Sequence, residues 1–448
     1  MTNSPTAEAW SPTKSASDDR AREGKAGLRI LFTAWSFPGH INPTVALARG
    51  VAERGHEVAF STGERARAIV ERQRFTFYPF RHLDEENVYS TVFSPASRAL
   101  LSRPGVLRDW MLKTLPDQVK DQEAVLVDWK PDVVVSDVTM WGVPLILHEL
   151  RGVPCTICSF APGCMIPDPN VPPWGLGLPS PHDWWTRTLC GAARLITERS
   201  VASFRSAADG IRAQFGLPPL GVPVHEFLGR MPLYLVPSIP ELDYKRSALP
   251  PSVHYIGPLI WNETKQSAPV EWLAKLSRQR PWIHVTEGTM HVYKPFLLQA
   301  AARGLANLPM EVIMTAGGQP DREGFNLGEL APNVRLESWI PHTELFPHTD
   351  VVITTGGAGT ILTALAAGIP LLIVPTEWDK PDNAQRIVEA GAAKRLSPGR
   401  CTPQRLRAAV EQLLSDKAYR ENAKRIGAIL KGLNAPRTGA ELIEKTFR

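Results

Sequence analysis

Thr354-Thr355-Gly356-Gly357-Ala358-Gly359-Thr360 closes a short apolar run and opens a helical pattern. Its glycines let the backbone approach a ligand closely. The free N–H groups of a helix start, at the positive end of the helix dipole, bind phosphate without a cation. The segment reads as an anion cradle, with a purely structural strand-to-helix turn as the alternative. It is not the dinucleotide fingerprint, because G-x-G-x-x-G spacing is absent, nor a P-loop, because no lysine follows the last glycine. One strand later comes Pro375 to Asn383 (PTEWDKPDN), a polar loop at a carboxyl strand end. Its carboxylates and amide suit sugar hydroxyls, each of which needs both a donor and an acceptor. The alternative is that Asp379 merely caps a helix beginning at Pro381. Cys155-x-x-Cys158 lies in an apolar strand pattern with no second pair at ligand spacing, which disfavours zinc or redox chemistry.

The elements that must hold these residues follow one grammar, used twice. Leu28 to Phe32 reads as a buried strand, followed by a helix with Asn42 as its cap and Pro43 in its first position. Gly55 stops that helix before a strand at Val58 to Phe60. Val133 to Val135 then leads into a helical stretch ending at Gly152, before the strand Cys155 to Phe160. In the second half, Val351 to Thr354 leads into a helix ending at Gly368, before the strand Leu371 to Val374. Strand, loop, helix, strand at this spacing builds a parallel, doubly wound sheet, so the fold class is α/β with two Rossmann-like domains. The domains span 28–250 and 281–448, joined by a proline-rich linker at 251–280, and 1–27 is a polar, disordered tail. Insertions between Leu83 and Val125 and between Pro162 and Gly229 are expected either to shape a ligand pocket or only to cover the sheet.

Composition removes several classes of function. The 448 residues carry a net charge of only +5, without a basic block interleaved with aromatic residues, so no nucleic-acid groove is expected. Five cysteines do not make a disulfide framework and point to a reducing, cytoplasmic setting. No run is long and apolar enough to be an integral membrane segment. Peripheral contact stays open at Trp184, Trp185 and Arg187, which resemble a membrane-interfacial patch; lining of an acceptor pocket is the competing reading.

With these pieces in order, the chain resembles the family 1 glycosyltransferases of the GT-B fold, which include bacterial macrolide and antibiotic glycosyltransferases. The resemblance spans nearly the whole chain after the tail. It runs through Phe37 to Pro43 (FPGHINP), Tyr255 to Pro258 (YIGP), Val285 to Thr289 (VTEGT), Trp339 to His342 (WIPH), the glycine cradle and the Pro375 to Asn383 loop. It implies two domains facing across a cleft, the first holding an acceptor and the second a nucleotide-sugar. It also implies an inverting transfer from a UDP- or TDP-sugar to a hydroxyl of a hydrophobic small molecule.

By the same resemblance His40 is the general base and Asp137 the carboxylate that orients it. The alternatives are a solvated loop histidine and an ordinary helix cap. The implied donor contacts are Thr289 and Gly357 to Thr360 (Gly357, Ala358, Gly359, Thr360) on the diphosphate, Trp339 against the nucleobase, with a plain core role as the alternative, and Asp379 on the sugar; Gly356 and His342 complete the donor-binding set. Three positions depart from the family pattern. Thr355 replaces a histidine that binds phosphate, and its hydroxyl is expected to donate in that place. Thr363 replaces an acidic residue on the ribose, and Lys380 replaces a glutamine on the sugar. Lys380 is expected either to pair with Glu377 or Asp382 at the surface or to face an acidic donor. No Asp-x-Asp occurs, so no metal and no cofactor beyond the nucleotide-sugar co-substrate is expected. Because two donor positions have changed, a non-catalytic auxiliary protein and a nucleotide-sugar epimerase of the same fold stand as rival functions.

Overall fold

The computed structural model describes residues 27–92, 111–261, 271–289, 295–317 and 327–448. The expected tail lies outside them up to residue 26, as do parts of the Leu83 to Val125 insertion and of the 251–280 linker. The apolar run at Leu28 forms β1 (Arg29–Ala34), buried from Ile30 onward. With β2 (Glu57–Thr62), β3 (Thr76–Pro79), β4 (Val133–Asp137), β5 (Cys155–Cys158), β6 (Leu233–Val236) and β7 (Val253–Tyr255) it makes a seven-stranded sheet. The strand order is β3-β2-β1-β4-β5-β6-β7 and every pairing is parallel. Strands this apolar on both faces need helices on both sides, and two separate cores fill those interfaces.

The second sheet repeats the plan with β8 (Trp282–Thr286), β9 (Glu311–Thr315), β10 (Val334–Glu337), β11 (Val351–Thr354), β12 (Leu371–Ile373) and β13 (Ala393–Arg395). Its order is β10-β9-β8-β11-β12-β13, again all parallel. Each sheet reverses its winding once, between β1 and β4 and between β8 and β11. Connections leave in opposite directions there, which opens a crevice at the carboxyl ends of the strands.

Six helices bear on the site: α1 (Pro38–Ala52), α2 (Glu85–Val92), α3 (Trp184–Gln214), α4 (Ala358–Ala366), α5 (Lys380–Glu389) and α6 (Ala435–Phe447). Helix α1 begins a turn earlier than Asn42 and Pro43 suggest, with Phe37 as its N-cap and Pro38 at its start. Both prolines satisfy the same positional rule, and the chain uses the first. Pro43 then sits inside the helix, where it removes only the bond to Gly39. At the other end of the chain, α6 returns to the first sheet, where Ala435, Ala440 and Ile443 enter the core beside Val45 and Leu47. Gly439 makes that approach possible, since a Cβ there would lie 2.5 Å from Leu47 Cδ1.

Three histidine rings sit largely out of water, His284 within the second sheet and His225 and His342 half-buried on the wall of the cavity. His284 on β8 is fully buried and donates from Nδ1 to the Ile313 carbonyl at 3.1 Å. His342 stacks on Phe346 at 4.2 Å, and His225 sits against the edge of Trp141. Burial lowers their pKa values from 6.5 to about 3 for His284 and about 4 for His342 and His225. The unfolded chain therefore binds more protons than the folded one from about pH 6.5 down to pH 4, and stability falls as pH falls through that window. Urea unfolding at pH 7 and pH 5 is expected to show this loss, and His284→Gln should remove about one of the three protons taken up. The buried carboxyls of Glu85 and Asp379, with raised pKa values, act in the opposite sense, so the comparison with His284→Gln decides: a variant with the same pH dependence as the unaltered chain would contradict a neutral His284 ring.

Candidate active site

His40 and Asp137 are 97 residues apart in sequence and meet because β1 and β4 are neighbours. β1 runs into the first turn of α1, which carries His40, and Asp137 is the last residue of β4. His40 Nδ1 donates to Asp137 Oδ2 at 2.9 Å, a bond that places a proton on Nδ1 and so, in the neutral ring, leaves the lone pair on Nε2. Asp137 Oδ1 accepts from the Thr139 backbone N–H at 2.8 Å and from its hydroxyl at 2.6 Å. The carboxylate thus closes a local turn and orients the histidine at once. Phe160 covers the imidazole, with ring centres 4.2 Å apart. Glu85 on α2 holds the loop from behind, accepting from the Ser36 N–H at 2.8 Å and its hydroxyl at 2.6 Å, while burial raises its carboxyl pKa.

In the second half, the carboxyl ends of β8, β11 and β12 converge. Gly356 turns the chain with φ +98°, and a Cβ there would meet Ile373 and Lys380 at 3.2 Å. Gly357 is the N-cap of α4, so the N–H groups of Ala358, Gly359 and Thr360 have no acceptor within the helix. Gly357, Ala358, Gly359 and Thr360 line the cavity, whereas Gly356 stays behind its wall. Asn383 ties this turn to the next loop, donating one amide hydrogen to the Gly356 carbonyl at 3.1 Å and the other to Asp379 Oδ2 at 2.7 Å.

Several details differ from the sequence expectations. The Thr355 hydroxyl donates to the Glu287 carbonyl at 3.1 Å, so its single proton is not free for a phosphate. The Thr363 hydroxyl donates to the Gly359 carbonyl one helical turn back, at 2.7 Å. Asp379 precedes α5 without capping it; its buried carboxylate takes the Asn383 amide instead, and burial raises its pKa. Lys380 does not pair with Asp382, which is occupied elsewhere. Its half-buried ammonium lines the cavity and donates to the Thr376 hydroxyl at 3.0 Å, and burial lowers its pKa against the raising charges of Asp379 and Glu377. Thr289, Trp339 and His342 all lie on the cavity wall.

The cavity between the halves has a volume of about 1280 Å³ and touches both sets of residues. Its wall on the first half is apolar, built by Trp35, Phe37, Trp141, Phe160, Met165 and Phe204. Asp382 at the start of α5 accepts from the backbone N–H groups of Gly175 and Gly177, both at 2.7 Å, which pins the first half's long insertion to the donor loop. Of the loop groups expected to read sugar hydroxyls, the Asn383 amide and the Asp382 carboxylate are buried and bonded within the protein, so they support the site from behind; Glu85 does the same with no signal in sequence, whereas the i, i+4 spacing of Asp379 and Asn383 is legible. Cys155 and Cys158 are buried in β5 with thiol pKa values raised by burial. Among the described residues no group of three or more His, Cys, Asp or Glu side chains is arranged to hold a metal, and no helix is long and apolar enough to cross a membrane.

Residues 300–443 match the family described as erythromycin biosynthesis protein CIII-like, C-terminal domain. The chain is 32% identical over 425 residues to 4'-demethylrebeccamycin synthase of Lentzea aerocolonigenes, covering 93% of this chain and 99% of that protein. It is 24% identical over 423 residues to demethyllactenocin mycarosyltransferase of Streptomyces fradiae, covering 93% and 86% respectively. The crystal structure of the glycotransferase of kitacinnamycin has the same fold, with a TM-score of 0.74 at 23% identity over 95% of this chain and 100% of the other. Two doubly wound sheets facing one cleft, and a likeness that extends over nearly the full length of a relative, make this chain a GT-B-fold family 1 glycosyltransferase of the natural-product type, an enzyme that moves a sugar from a nucleoside-diphosphate donor to a small-molecule acceptor.

Proposed function

We propose that the enzyme is an inverting, cytoplasmic transferase that carries a sugar from UDP or TDP to a hydroxyl of a largely apolar natural product. The observation that carries this reading is that His40, held by the buried Asp137 behind it, lines the same cavity as the helix-start cradle. His40 Nε2 takes the acceptor's proton as its oxygen attacks the anomeric carbon, and Asp137 stabilises the imidazolium that forms. The diphosphate leaves from the opposite face, so a single displacement inverts the centre. Backbone N–H groups of Gly357 to Thr360, with Thr289, receive the negative charge that develops on the leaving group, in a site where those dipoles are already oriented. Charge neutralised in this way needs no metal. Trp339 and His342 are assigned to the nucleobase end and Asp379 to the sugar. The aromatic wall and the relatives named for rebeccamycin and lactenocin support an apolar natural-product acceptor.

His40→Ala is expected to lower turnover by at least roughly a hundredfold while nucleotide binding persists, the usual scale for loss of a general base. Near-full turnover on a proven acceptor would remove His40 from the mechanism. A donor screen tests the second half separately. UDP or TDP at a hundred times its dissociation constant should stabilise the fold by about 2.7 kcal/mol, read as a rise in Tm. Unchanged Tm with both nucleotides at saturating concentration would overturn the cradle assignment.

Lys380 sets a further expectation. An ammonium offers donors only, whereas the family's glutamine offers both a donor and an acceptor. We assign Lys380 to reading an acidic or acceptor-rich group on the sugar. Lys380→Gln should then shift the ratio of kcat/KM values toward a neutral hexose by about 1–3 kcal/mol, the size of a charge-assisted hydrogen bond. An unchanged ratio between neutral and acidic donors would leave this lysine without a part in sugar choice.

A further inference from the structure

Helix α3 is 31 residues long and covers the first half with one face only. Thr186, Cys190, Ala193 and Ala208 point into the protein. On the opposite face Trp184, Trp185, Leu195 and Ile196 are 76%, 59%, 72% and 77% exposed. At 3.6 residues per turn these four side chains fall within one arc of about 120°, over a length of about 18 Å. Single exposed apolar residues are ordinary, but two tryptophans, a leucine and an isoleucine sharing one stripe are not. Arg199 lies in the middle of the arc, and Arg187 and Arg205 both border one edge of it; all three are exposed, against one exposed acid on the helix, Glu198, on that same edge. The stripe also meets the active-site cavity at Leu195, which lines it.

We propose that this face of α3 docks on an anionic lipid surface and that an apolar acceptor enters the cavity from there. Tryptophan side chains favour the boundary between hydrocarbon and water, where an apolar ring and a polar N–H are both satisfied. The arginines match lipid phosphates, whereas two copies of the face packed together would oppose their like charges in a dry interface. The buried side of the helix belongs to the protein core, so the helix lies on the surface and does not span it.

The full chain should sediment with vesicles made of equal parts phosphatidylcholine and phosphatidylglycerol, less with phosphatidylcholine alone, and less as salt is raised. The double variant Trp184→Ser, Trp185→Ser and the single variant Arg199→Glu should each weaken that binding by roughly tenfold or more. Neither touches the cavity wall, so the Tm and the thermal shift given by nucleotide should match those of the unaltered chain. No binding to the anionic vesicles, or binding that the tryptophan variant leaves unchanged, would overturn the proposal. Sedimentation equilibrium showing a dimer that Ile196→Asp dissolves, in a chain that does not bind vesicles, would overturn it too and assign the face to a second copy.

Discussion

A reaction centre divided between two half-molecules works only if the halves are held in register, and the buried carboxylate of Asp243 supplies much of that constraint. Asp243 lies after the last residues of β6 and accepts from Arg246 at 2.9 Å and from Arg386 on α5 at 3.1 Å. It also accepts from the Tyr255 hydroxyl and, at 3.0 Å, from the Cys164 backbone N–H. Burial by itself would raise the pKa of this carboxyl, but Arg386 and Arg246 overcome that and hold it below the usual range. Arg386 belongs to the helix that begins at the donor loop, so its ion pair fixes that loop relative to β7 and the first sheet. Removing one member of such a buried group leaves an unpaired charge and costs on the order of 3–5 kcal/mol. The Asp382 clamp on Gly175 and Gly177 and the return of α6 to α1 act in the same direction at other points of the cleft.

Given that register, the chemistry follows from strand order. A doubly wound sheet brings the carboxyl ends of its two central strands together wherever the winding reverses. In the first sheet this sets a histidine from the β1 connection beside an aspartate from β4. In the second it sets the β8 loop beside the cradle that follows β11. The first pair needs no special local conformation; the second uses two left-handed glycines, Gly288 with φ +81° in the β8 loop and Gly356, where a side chain would strike Ile373 and Lys380. The irregular position is Trp378, a non-glycine residue with φ +65° in the donor loop, which packs against the Trp35 and Phe37 cluster of the other half. A backbone held there costs on the order of 1–3 kcal/mol. Its packing across the cleft is the compensation visible in the structure.

What sequence made legible and what it hid divide along the range of the interaction. The buried strands, the glycine cradle and the loop after β12 are local patterns, and each stands within a residue or two of its expected place. The start of α1 was misjudged because Pro38 and Pro43 satisfy the same local rule, and only the path of the chain out of β1 selects between them. For Asp379 the alternative to a sugar contact is a helix cap; it stands at the N-cap position of α5, but its carboxylate makes no capping bond and takes the Asn383 amide instead. Thr355 looked like a hydroxyl donor, yet its proton goes to a carbonyl 68 positions away. Glu85 under Ser36 and Asp243 under Arg386 join residues 49 and 143 positions apart, and no spacing rule reaches that far.

The donor loop also shows why its charges cannot be read from residue type alone. Asp379 is buried and the adjacent Lys380 half-buried, and burial pushes their pKa values toward each other, the carboxyl upward and the ammonium downward. Against that, the acid is sustained by the Asn383 amide and by Lys380, and the base by Asp379 together with the carboxylates of Glu377 and Glu287. A diphosphate arriving at the cradle changes that balance, since a negative group near Lys380 favours its charged form and disfavours ionisation of Asp379. Under the proposed function, donor binding therefore reinforces the positive side of this pair. Under the same reading the ammonium, half-buried in the cavity wall, faces the nucleotide-sugar from a setting drier than bulk water. A surface lysine in the same position would be screened by water and would discriminate little between one sugar and another.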